Sequence, residues 1–350
     1  MWPVKGLTGA AKIDRGVGIA AVVFALIAPL VLDSYWIGTL MTQMLLLGIV
    51  AASTIFLQAY GGMLSLSQVA LFGIAGFVVG NATTNGNTKG LNLGWNPWWG
   101  VVLGVAIAVV VSLLFGMLAS RSFGIYFLMI TLTYGVIAYV FFGQVTDFSG
   151  FGGVSGIPTP HLIGSPVSHP NHLYYVTLGC ALVVYGVLRY ITRSPFGLAL
   201  QGVRDEPVRM SSLGYSVALH RTAAFAFAGL VAAIGGVLFV WWNGHIDPAS
   251  INLNAMINVL VIAVIGGLYR LEGAWLGAFV FVVLNNYTQQ IGFIGPRFAT
   301  LIGAIFLVIV LVSPGGLMGL WERALTLVPG QRRDPSDRTT IAAERAESNV

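Results

Sequence analysis

Long apolar runs separated by short polar links make up most of the chain. Gly16–Leu32, Trp36–Leu57, Pro97–Ala119, Gly124–Phe142, Leu173–Ile191, Thr222–Trp242 and Ala299–Val312 are the strongest. Each approaches the roughly 20 apolar residues with which a helix crosses a bilayer core. Three weaker segments, Met63–Gly80, Ala255–Leu268 and Gly273–Asn285, complete the pattern. Taken as crossings, these runs predict about ten membrane segments, some of them short or re-entrant. The fold class is all-α, a polytopic transmembrane helical bundle with both termini on one side. Ala255–Leu268, for example, has 14 residues, about 21 Å of helix against a hydrocarbon core of roughly 30 Å.

Two of the weak segments resemble each other. GGMLSLSQVALFGIAGFVVG starts at Gly61, and GGLYRLEGAWLGAFVFVVLNN starts at Gly266. Both open on paired glycines and keep a leucine spacing. Glycine-interrupted segments in related positions are a sequence pointer to a transport path. The competing reading is close helix packing through small residues, as in Gly76-x-x-x-Gly80. Both readings stand on the sequence. Ser65, Ser67, Gln68, Thr131, Thr133 and Asn258 are uncharged polar residues in apolar segments, where each needs a hydrogen-bond partner or water. They are the candidate lining of a central, partly wet passage.

Composition agrees with a membrane protein: 57% of residues are hydrophobic, 8% are charged, and the mean hydropathy is +0.85. The net charge of +5 reports loop topology here and implies no nucleic acid. In the ten-segment reading, all 17 Lys and Arg residues except Lys89 and Arg297 fall on one side, which marks that side as cytoplasmic. Residues 1–15 are then a cytoplasmic N-terminus, 16–320 the transmembrane domain, 144–172 an outer loop, and 321–350 a flexible cytoplasmic tail. Trp95, Trp98, Trp99, Trp241 and Trp242 fall at outer headgroup level. No small-x-small site follows the first run before Asp33, so it is kept as a span rather than a cleaved leader.

Several kinds of chemistry are missing. No Asp, Glu, Lys or Arg falls in the middle of an assigned span, which argues against an ion-coupled carrier. No G-x-x-x-x-G-K-[ST] occurs, so energy from nucleotide would have to come from a partner. Gly150–Gly156 lacks the flanking strand and spacing of a dinucleotide loop. His161, His169 and His172 lie in the outer loop without a cysteine or close carboxylate, and no metal or cofactor is expected. Cys180, the single cysteine, is read as packing. Asn81-Ala-Thr and Asn286-Tyr-Thr match a glycosylation tripeptide that recurs by chance.

Residues 194–216 stand out because a charged element interrupts the apolar chain. Ser194-Pro195 is a helix start, Gly214 a stop, and Pro207 divides the stretch. Arg204, Asp205, Glu206 and Arg209 sit beside Pro207, with Leu213 among the apolar positions. Such an element suits docking into a groove of a soluble protein. As a helix lying on lipid it would favour lysines, and it has none.

At these residues the sequence resembles the permease subunits of bacterial ABC importers for branched-chain amino acids. Tyr60, Gly62, Ser65, Leu66, Phe72, Gly73 and Ile74 follow one of that family's patterns. Arg121, Gly124, Ile125, Tyr126, Phe127, Met129, Thr131 and Leu132 follow a second. Gly152, Gly153, Gly156, Ile157, Pro158 and Pro160 follow a third. Ser194, Pro195, Phe196, Gly197, Ala199, Leu200, Arg204 and Asp205 form the fourth, and Pro314, Gly316, Leu317 and Gly319 the last. Tyr269 and Ala274 depart from the family's glycine and proline after the eighth segment, and Ile55–Gln58 from its Asn-Leu-Leu-Val. The resemblance implies a translocation path for a branched-chain amino acid or related small polar solute. It also implies two ATPase subunits, a second permease subunit pairing with this one as a heterodimer, and an external solute-binding protein. It further implies that residues 204–214 dock on an ATPase, and that the protein sits in the bacterial inner membrane and is not itself an enzyme. The rival expectation is a passive channel or secondary carrier for a small neutral solute such as urea.

Overall fold

A computed structural model describes residues 8–31, 33, 35–86, 90–160, 170–290, 298–313 and 315–326. Lys89, His161, His169, Arg297, Pro314, the first seven residues and the tail from residue 327 lie outside the described residues. The chain is a helical bundle. In order, the helices are α1 (Thr8–Val31), α2 (Thr42–Gly61, extended backwards by a π-helical turn Trp36–Met41), α3 (Gln68–Thr83), α4 (Pro97–Ala119) and α5 (Gly124–Gln144). Next come α6 (Pro170–Arg193), α7 (Pro195–Asp205), α8 (Pro207–Ser212) and α9 (Val217–Asn243). The last are α10 (Leu253–Gly266), α11 (Gly273–Gln290), α12 (Phe298–Val312) and α13 (Gly316–Thr326). Helix α13 covers the first six residues, 321–326, of the stretch expected as a tail.

Among the described residues, five helical stretches are long and apolar enough to cross a membrane: Trp36–Gly61, Pro97–Ala119, Gly124–Gln144, Asn171–Arg193 and Val217–Asn243. Shorter apolar helices include Gln68–Thr83 and Leu253–Gly266. They are short because the chain leaves helical geometry beside each, once between α2 and α3 and again between α10 and α11.

Helices α2, α3 and α9 form the centre. Fifteen of the 16 residues of α3 are buried, so this helix is enclosed on every side. An all-round apolar helix can be accommodated only in such a position. Helix α4 closes one flank with Gly100, Gly104, Ala108, Ser112 and Gly116, a stripe of small residues at every fourth position. The stripe lets backbones approach: Ser112 Oγ donates to the Phe225 carbonyl of α9 at 3.0 Å. The other faces of α4 present Val102, Val110, Leu114 and Leu118 outward, as lipid-facing side chains must be. Gly76 and Gly80 belong to packing as well, against Ile246, Val240, Ile157 and Val154.

One end of the bundle is tied by a two-stranded antiparallel ladder, β1 (Val154–Ser155) with β2 (His245–Ile246). There Trp98 meets Trp241 edge-on at 6.2 Å. Asn81 is buried at this end, donating to the Phe77 and Phe148 carbonyls and accepting from Leu91 N, so it is a loop anchor and no glycan acceptor. The other end gathers Arg189, Arg204 and Arg221 around the break between α2 and α3 and the one between α10 and α11.

A test of the central contact follows. A Cβ on Gly236 of α9 would overlap the Phe72 carbonyl of α3, whereas one on Gly186 of α6 meets nothing within 4 Å. Gly236→Leu should cost about 1–3 kcal/mol or prevent folding, and Gly186→Ala should be neutral or slightly stabilising. Thermal unfolding of the purified protein in detergent reads both; equal melting of the two variants would refute the enclosed-α3 arrangement.

Candidate functional site

The break between α2 and α3 is built by Gly62, the C-cap of α2, which has φ +64°. A residue with a Cβ would be strained there, and glycine is not. The amides of Gly62 and Met63 turn back to the carbonyls of Gln58 and Leu57 at 3.2 and 3.1 Å. The Ala59 carbonyl is satisfied differently, by the Arg204 guanidinium of α7. A cation at a helix C-terminus also complements the helix dipole. Gly62 lies under the Arg204 side chain, and a Cβ there would come within 2.6 Å of Arg204 Cγ.

Residues 62–67 then run without helical structure, through largely buried surroundings, to Gln68. Four of the candidate path residues meet here. Ser65 and Ser67 share a hydrogen bond between their hydroxyls at 3.0 Å. Thr131 of α5 accepts from the Leu66 amide at 3.3 Å and donates to the Leu128 carbonyl. Because Ser67 is engaged with Ser65, it places no side-chain cap on α3. Gln68 is fully buried, and neither atom of its amide has a protein partner. Leaving a buried amide without a partner costs about 1–3 kcal/mol. The remaining two stand elsewhere. Thr133 faces outward on α5 and donates to the Met129 carbonyl, and Asn258 is half-buried along α10. A cleft of about 450 Å³ between α3, α4 and α5 is lined by apolar groups such as Phe77, Leu103, Ile107 and Phe141; none of the six lines it.

Arg221 locks the break from another side, a role that sequence reading missed by treating it as a loop charge. It lies one turn into α9 and is 3% exposed. Its Nε donates to Met63 Sδ at 3.2 Å, and another guanidinium nitrogen donates to the Ser120 carbonyl at 2.8 Å. Phe123 and Phe127 flank it, with the guanidinium carbon 4.2 and 5.4 Å from their ring centroids. It thereby joins the break to the ends of α4, α5 and α9. The available signal was its register: it falls four residues before Phe225, on the buried face of α9.

The charged stretch forms as its sequence directs. Ser194 Oγ accepts from Gly197 N at 3.4 Å and caps α7, Pro195 starts it, and Pro207 starts α8. Gly214 has φ +88° and ends the pair. Arg204 is turned inward, its guanidinium also holding Asp205 at 2.7 Å. That hydrogen bond keeps the Asp205 carboxyl below the usual carboxylate range. Asp205, Glu206, Arg209, Leu213 and Gly214 are exposed, and Pro207 is half-buried. Leu198, Val208 and Leu213, 61%, 78% and 66% exposed, give this charged surface an apolar component.

The family described as "Branched-chain amino acid transport system / permease component" matches residues 36–311. The high-affinity branched-chain amino acid transport system permease protein LivM of Salmonella typhimurium is 25% identical over 63% of this chain and 57% of its own length. LivM of Escherichia coli is 24% identical over 62% and 56%. The permease protein BraD of Pseudomonas aeruginosa is 26% identical over 45% and 50%. The chain thus spans a little over half the length of the LivM proteins it matches. No solved structure matches it. With the glycine breaks, the capped Ser194-Pro195 helix and the apolar bundle in place, the match over most of the chain is decisive: this multi-pass membrane protein belongs to the branched-chain amino acid transport permease family.

Proposed function

We propose that the protein is the permease subunit of an ABC importer in the bacterial inner membrane. It forms, with a second permease subunit, the path for branched-chain amino acids or a related small polar solute. Separate ATPase subunits supply the energy, and an external binding protein delivers the solute. In this reading the chain crosses the membrane about ten times, and the basic end with both termini is cytoplasmic. The observation that carries the reading is the clasp of α7 on the break, in which Arg204 reaches the Ala59 carbonyl and covers Gly62.

The clasp divides the charged stretch into two roles. Asp205, Glu206, Arg209 and Leu213 form the outward face that meets the ATPase, with Pro207 and Gly214 shaping it. Arg204 carries displacement of that face to the end of α2. Movement of α2 then shifts Ser65, Ser67 and Gln68, which follow directly on its end. Thr131 follows through Leu66, and Asn258 extends the polar lining along α10, while Thr133, which faces outward, stands apart from it. No group in this chain has to bind and release an ion during the cycle.

Two outcomes test the reading. The variant D205A/E206A/R209A should insert normally but lose most ATPase assembly, whereas R204A should assemble and hydrolyse ATP while uptake falls about tenfold, an ordinary coupling energy. Normal assembly and transport in the triple variant would remove the docking assignment. In liposomes holding the full complex, uptake should persist when an ionophore collapses the proton gradient and stop without ATP. Uptake driven by a pH gradient without nucleotide would instead identify a secondary carrier.

A further inference from the structure

The break between α10 and α11 repeats the design of the first. α2 ends at Gly61, six non-helical residues follow, beginning with Gly62 at positive φ, and α3 begins at Gln68. α10 ends at Gly266, Gly267 has φ +121°, and α11 begins at Gly273, again after six residues. Each break is covered by a helix whose sequence opens with Ser-Pro-x-Gly-Leu. Ser194–Leu198 leads into α7, and Ser313–Leu317 leads into α13. Where Arg204 of α7 covers Gly62, Met318 of α13 covers Gly267, and a Cβ on Gly267 would lie 3.4 Å from Met318 Cβ. Gly316 in turn packs against Val264 and Gly267. Ser313 Oγ donates to the Gly316 carbonyl at 2.9 Å, fixing the start of α13.

The two breaks differ in chemistry. Counting from the paired glycines, Ser65 and Ser67 correspond to Arg270 and Glu272. Glu272 is not left to solvent. It pairs with Arg189 at 2.7 Å and accepts from the Tyr185 hydroxyl at 2.7 Å, while Arg189 Nε donates to the same hydroxyl at 3.2 Å. Tyr185 also meets Trp275 of α11 edge-on at 5.7 Å. All three polar groups are partly buried, and three mutually bonded groups hold geometry far better than an isolated surface pair. Arg189 and Tyr185 lie on the last turns of α6, and Ser194 follows to start α7. The base of α7 is therefore fastened to the second break, while the far end of α7 clasps the first.

We infer that residues 267–272 form a second hinge ganged to the first, with Arg189, Tyr185 and Glu272 as positioning residues that carry motion of the α6–α7 corner into α10 and α11. A displacement of α7 then moves both breaks together, and α13 acts as the seat for the second. The inference rests on α7 being the element that a partner moves.

The experiment uses the assembled transporter in liposomes and reads solute taken up per ATP hydrolysed. E272Q and R189E should assemble and hydrolyse ATP at near the wild-type basal rate, with the uptake-to-hydrolysis ratio lowered about tenfold. The reversed pair R189E/E272R should recover much of that ratio, and Y185F should give a smaller loss. A residue that only stabilises the fold would lower the amount of assembled complex and leave the ratio unchanged. An unchanged ratio in E272Q and R189E overturns the inference; should either fail to assemble, Y185F and the reversed pair decide. The D205A/E206A/R209A variant checks the docking reading separately. Normal assembly there, together with a lowered ratio in E272Q, would discard the docking site and keep the ganged hinge.

Discussion

A helix that stops inside an apolar bundle exposes carbonyl groups to surroundings with little water, and each one left unmet is costly. The end of α2 meets this constraint by borrowing a cation. Gly62 and Met63 satisfy two carbonyls from within the turn, and Arg204, from a helix more than 140 residues later, satisfies the Ala59 carbonyl. The seated α7 completes the capping of the break, and its Arg204 is held in turn by the end of α2. Arg221 applies the same principle beside it, holding the Ser120 carbonyl beyond the C-terminal end of α4 and the Met63 thioether.

From this constraint the rest of the bundle follows. α3 begins where the break ends and is too short and too apolar to stand anywhere except the centre. The close approach it needs is provided by the small-residue stripe of α4 and by Gly236 of α9. Rigid packing at the centre and an interrupted backbone at one end give the molecule a stiff body with adjustable polar joints. Interrupted helices that line a path rather than face lipid are how irregular backbone is tolerated at membrane depth.

The helical class, the weak segments and the charged stretch were legible because each depends on local pattern. Apolar run length marked the helices, Ser194, Pro195, Pro207 and Gly214 marked the boundaries of α7 and α8, and the paired glycines marked the breaks. The inward turn of Arg204 was not legible, since nothing near it in sequence indicates that its partner is the Ala59 carbonyl. Arg221 and the Arg189–Tyr185–Glu272 cluster were hidden for the same reason. Their meaning lies in contacts across 83 to 158 positions of chain, while in sequence each is a polar or charged residue near a helix end. The outward face of Thr133 depends on the rotation of α5, which an almost uniformly apolar helix does not record.

The most direct measurement is hydrogen–deuterium exchange on the proposed importer complex, nucleotide-free and trapped with ATP. If the clasp transmits motion, peptides covering residues 58–67 and 195–205 change their exchange together between the two states, while the body of α3 stays protected. R204A should abolish the change at 58–67 and leave the one at 195–205. Exchange at 58–67 that is the same in both states, with 195–205 responding alone, would contradict transmission through Arg204.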